Sequence, residues 1–106
     1  MDEAAEPTSP LEGSAAYTVT VGLVGQVIAL QGVQIARERS RPRPDRAAIK
    51  EWESARSAAV MVCRRLSSGD PEAVDRVSRE YSRLYRQLVA AQSVRAPWAS
   101  RQVLSG

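Results

Sequence analysis

From Val74 to Ala91 the apolar residues fall at Val74, Val77, Tyr81, Leu84, Leu88 and Ala91, alternately three and four apart. That period keeps a single apolar seam on a helix. Its start is marked by Asp70 as N-cap, Pro71 at the first helical position and Glu72 in the first turn. Upstream, Ile49, Trp52, Ala59, Cys63 and Leu66 share one helix face, broadened by Val60 and Val62. Asp45 after Pro44 opens that helix, and Gly69 is expected to end it as a left-handed C-cap. Only Ser67-Ser68-Gly69-Asp70-Pro71 separates the two. So short a turn predicts an antiparallel helical hairpin over residues 46–93, its two seams buried together.

Residues 14–36 carry no charge at all, and three structures fit residues 17–38. One is a soluble helix. Its small residues Thr18, Gly22, Gly25, Ala29, Gly32 and Ala36 form a stripe at helical spacing, with Val24, Val27, Ile28 and Ile35 opposite. A helix apolar nearly all round is expected to be buried, in a bundle or in an oligomer. A second structure is a membrane span. The stretch is long enough, is rich in small residues and is followed by arginines, which would leave the C-terminal hairpin in the cytoplasm. Gln26, Gln31 and Gln34 oppose it, because each amide in hydrocarbon needs a partner.

A third structure starts from the alternation Tyr17, Val19, Val21, Leu23 against Thr18, Thr20, Gly22, which has the period of a strand. A strand followed by helices, over residues 17 to about 60, resembles the ribbon-helix-helix class of DNA-binding regulators. The resemblance implies a dimer whose paired strands enter the major groove, with Thr18 and Thr20 facing the bases. The chain departs from that family in lacking a base or amide in this row and a charged face on the first helix.

Charge divides the chain further. Residues 1–16 hold Asp2, Glu3, Glu6 and Glu12 without a base, and with Pro7, Pro10 and Gly13 they read as a flexible acidic tail. Arg37, Arg39, Arg41, Arg43 and Arg46 then crowd a segment broken by Pro42 and Pro44. The linker arginines Arg37, Arg39, Arg41 and Arg43 form a basic contact surface suited to phosphates, anionic headgroups or an acidic tail. On the last helix Arg76, Arg79, Arg83 and Arg86 lie opposite the seam. Glu72 and Asp75 precede the first two by four residues, so that face is expected to be solvated and partly neutralised, with Tyr85 free on its flank.

Catalytic chemistry has little to work with. The chain has no histidine, and its lone thiol, Cys63, sits on the apolar face as a small core residue. No metal-ligand spacing or phosphate-cradling glycine loop is present, and the carboxylates come singly. No enzyme, catalytic residue, cofactor, metal or small-molecule substrate is therefore expected. Trp98, after Pro97 in the tail 94–106, is expected to dock on the bundle or anchor a partner.

The expected protein is all-α: a small three-helix bundle built on the hairpin, oligomeric, with helices near 18–38, 46–67 and 71–93 in a domain spanning 17–93. Its expected function is non-enzymatic protein–protein interaction. Self-association would run through Gly22, Gly25, Ala29 and Gly32, to another copy or another protein. A DNA-binding dimer and a single-span membrane protein are the alternatives, so nucleic acid and membrane stay open as partners. The acidic N-terminus lacks the basic start of a secretory leader, which favours the cytoplasm.

Overall fold

A computed structural model describes the backbone of residues 8–94 and the side chains of 15–92. It is all-helical: α1 (Thr8–Arg39), α2 (Arg46–Arg65) and α3 (Pro71–Val94), with no strand among the described residues. Residues 17–23 lie inside α1, so the strand expected of the ribbon architecture does not form. A lone strand has no partner in this chain, whereas a helix satisfies its backbone groups internally. α1 also begins at Thr8, within the stretch that composition reads as tail. Pro10 is tolerated there because the first turn's N–H groups have no helical acceptor.

α1 ends at the two-proline segment. Ser40 Oγ donates to the Arg37 carbonyl at 2.9 Å, satisfying one terminal acceptor. The short loop then turns on Glu38, a carboxylate only 2% exposed. Glu38 Oε2 accepts the Asp45 backbone N–H at 2.9 Å, and its Oε1 accepts Arg41 Nη1 at 3.2 Å. Asp45 in turn caps α2, its Oδ1 accepting the Ala48 N–H at 3.0 Å. α2 closes at Leu66, whose extended backbone donates to the Val62 carbonyl at 3.0 Å. Gly69 is not the expected left-handed cap, since no described glycine has positive φ. Asp70 caps α3 as expected, accepting the Ala73 N–H at 3.2 Å.

The directions follow from the contacts. Arg39 at the end of α1 is ion-paired with Glu53 early in α2, so α2 runs back antiparallel along α1. α3 starts beside Ala15–Thr20, where Pro71, Val74 and Ser78 share a groove with Ala16 and Val19. Its far end reaches Leu30, whose carbonyl accepts Gln92 Nε2 at 3.2 Å, so α3 runs parallel to α1. α2 and α3 are thus antiparallel, as the short turn demands, yet they scarcely touch. Each packs along α1 instead, and the whole is thin, 65 × 37 × 14 Å.

The expected burial of the two seams against each other is therefore corrected: both seams face α1. Between Ile49 and Ala59, α2 is mostly polar and exposed, offering α3 little apolar area. α1 offers more. Val24 and Val27 are fully buried, and they join Ala59 and Leu66 of the second helical segment with Val74, Val77, Tyr81 and Leu88 of α3 in one core. Burying such side chains contributes about 1.5–3 kcal/mol each. Cys63 and Tyr85 are partly buried against the same cluster, which places Cys63 as expected and Tyr85 deeper than its flanking position suggested.

Candidate functional site

The inward face of α1 is formed by Thr20, Val24, Val27, Gln31, Ile35 and Glu38, all buried at steps of three or four. The outward face is the small-residue stripe. Thr18, Gly22, Gly25, Ala29 and Ala36 are exposed along it, and Gly32 is half-buried at its edge. From residue 18 to 36 this face runs about 27 Å along the helix axis. Two large apolar side chains flank it, Val19 at 69% and Val33 at 41% exposed, with exposed Gln26 between them. Gly22, Gly25, Ala29 and Gly32 thus share one face, and among the described residues nothing covers its centre.

Among the described residues, Gly22 and Gly25 have no packing partner to accommodate. A Cβ added at Gly22 or Gly25 would meet nothing within 4 Å, and one at Gly32 would meet only Arg56 Nε at an ordinary 3.8 Å. Each interior glycine costs a helix about 1 kcal/mol relative to alanine. Among the described residues that cost at Gly22 and Gly25 has no packing return.

All four linker arginines are exposed, with Arg39 paired to Glu53 and Arg41 to Glu38. Arg39 also lines an open pocket of ≈530 Å³ with Pro44, Arg46, Ile49, Lys50 and Glu53. Arg46 and Lys50 were not part of the basic surface read from the sequence. Their signal was there: they are four apart on α2, one turn into it, on the side that returns past the end of α1. The outer face of α3 carries the expected Asp75–Arg79 pair at 3.1 Å. Trp98 lies outside the described residues.

Two buried polar groups escaped the sequence reading. Glu38 looked like one acid among arginines and is the buried acceptor of the loop. Gln31 is 4% exposed, with its Oε1 lacking any hydrogen-bond donor. The burial of Tyr81 pushes its phenol above the ordinary value, and the neighbouring Glu80 carboxylate adds to the rise.

Ala15–Arg39 is long and apolar enough to cross a membrane, and 28% of its most apolar window is buried within the protein. Comparison with protein-family models, curated proteins and solved structures finds no match.

Proposed function

We propose that this is a non-enzymatic helical protein that self-associates through the outward face of α1. The observation that carries this reading is the open space at Gly22 and Gly25. Two glycines weaken the helix where no contact among the described residues needs them. A second helix lying on the stripe gives them a use, because small residues let backbones approach closely enough for dispersion and Cα–H···O contacts. Covering the stripe would also remove Val19 and Val33 from water, worth about 25 cal/mol per Å² of apolar area.

The length and apolarity of α1 also favour a membrane span. Against it, α2 and α3 pack along α1 and present charged outer faces, among them Lys50, Glu51, Arg64, Arg65, Arg83 and Arg86, all exposed. A bilayer around α1 would have to strip both helices from it or bury those charges, each costing about 2.5–3.5 kcal/mol at mid-membrane. The soluble reading keeps both helices in place.

Sedimentation equilibrium tests the proposal. The wild-type chain should show a mass above the monomer that falls on dilution, and Gly25→Leu should return it to the monomer. A wild-type chain that stays monomeric at hundreds of micromolar overturns the reading, as does one found only in the detergent-soluble membrane fraction.

A further inference from the structure

The pocket at Arg39, Pro44, Arg46, Ile49, Lys50 and Glu53 holds three cations and one carboxylate, and that carboxylate is already paired with Arg39. Arg46 and Lys50 are exposed, and the further arginines Arg41 and Arg43 stand in the adjoining loop. The opposite end of the chain has the opposite charge: Asp2, Glu3, Glu6 and Glu12, with no base in residues 1–16. We infer that this pocket receives the acidic N-terminal segment of a second copy, so that the two copies associate through α1 antiparallel.

Reach decides that the acids must come from another chain. The 32 residues of α1 form one helix, about 48 Å long, between Thr8 and Arg39. Residues 1–7, fully extended, cover about 24 Å. The acidic segment of one copy therefore cannot return to its own pocket. A second copy laid antiparallel along the stripe brings it there without any change in the fold.

The register agrees. With the crossing centred between Gly25 and Gln26, Gly22 lies opposite Ala29 of the second copy and Thr18 opposite its Val33. The same register brings the N-terminal end of α1 level with Arg39 of the second copy, within reach of an extended segment 1–7. A twofold axis makes every contact occur twice, so both pockets and both acidic segments are engaged. A parallel pair would place acids against acids and arginines against arginines, and like charges facing each other disfavour association.

This inference rests on self-association through the α1 face, and charge exchange separates the two. Arg46→Glu with Lys50→Glu makes the pocket acidic. Asp2→Lys with Glu3→Lys and Glu6→Lys makes the N-terminal segment basic. Each charge variant alone should weaken association on the order of tenfold at low salt, as several exposed pairs are reversed together. An equimolar mixture of the two should regain wild-type affinity, because both contacts are then complementary. The mutual rescue should fade as salt rises. If neither charge variant changes the dissociation constant while Gly25→Leu abolishes association, the antiparallel docking is overturned and the α1 surface stands. If both variants weaken association but the mixture does not recover, the pairing of these two regions is overturned. A wild-type chain that never associates overturns both.

Discussion

The Glu38 carboxylate accepts the backbone N–H of Asp45 at 2.9 Å, and through that bond the end of α1 sets the start of α2. Asp45 then caps α2 with its own side chain. One buried acid thus fixes both the loop and the direction in which α2 returns. Glu38→Ala leaves the Asp45 N–H and the Arg41 guanidinium short of an acceptor, and should cost about 2–3 kcal/mol. Asp45→Ala removes the cap alone and should cost about 1 kcal/mol. Chemical denaturation of the two variants, with Glu38→Ala clearly the weaker, checks this order.

Tyr81 predicts an alkaline limit to stability. Its folded pKa lies above its unfolded value, so the stabilising neutral phenol is favoured below the unfolded pKa near 10. As pH rises from there through the folded pKa, the unfolded state sheds the proton first and stability falls. Tyr81→Phe should remove this component. The difference in unfolding free energy between wild type and Tyr81→Phe, followed from pH 8 to 11, should be flat to about pH 10 and then shift in favour of the variant. A difference that stays constant throughout would contradict the burial assigned to this ring.

Gln31 predicts a gain. Its Oε1 is buried without a donor, so replacement by methionine of similar length exchanges an unsatisfied polar atom for packing. Gln31→Met should raise the thermal midpoint, at about 1 kcal/mol of added stability. A loss of similar size would show that the amide has a partner in solution.

Gly25→Ala separates the helix from its surface. Nothing within 4 Å opposes the added methyl, so at concentrations below association the variant should be more stable than wild type by about 1 kcal/mol. At high concentration the same methyl widens the helix approach and should weaken association. Thermal melts at low and high protein concentration should therefore move in opposite directions.

Much of this fold was legible from residue order, for identifiable reasons. The α3 seam reads cleanly because its three-four spacing is unbroken from Val74 to Ala91. Asp70 and Asp45 read as caps because each precedes a helical pattern beside a proline. The partner of that seam did not read. Periodicity says which face of α3 is apolar and nothing about what covers it, and the adjacent α2 was the nearer guess in sequence. The structure prefers α1, whose inward face buries Val24, Val27 and Ile35 with only Gln31 between them, whereas α2 is mostly polar and exposed between Ile49 and Ala59. The candidate surface followed from the small stripe, since glycine spacing survives whatever the helix packs on. Its openness did not, because only the positions of α2 and α3 show which side of α1 is left uncovered. Glu38 was one acid among arginines and Gln31 one of three amides in the uncharged stretch, and burial changes their role without leaving a mark on the residue pattern.

Self-association through α1 requires that a second α1 lie on Gly22, Gly25 and Ala29. The most direct measurement is an isotope-filtered nuclear Overhauser experiment on a one-to-one mixture of ¹³C-labelled and unlabelled chains. It should show intermolecular contacts from the methyls of Ala29, Val19 and Val33, lost in Gly25→Leu. Intermolecular contacts from Leu84 or Leu88 of α3 instead, or none at all at millimolar protein, would contradict the account.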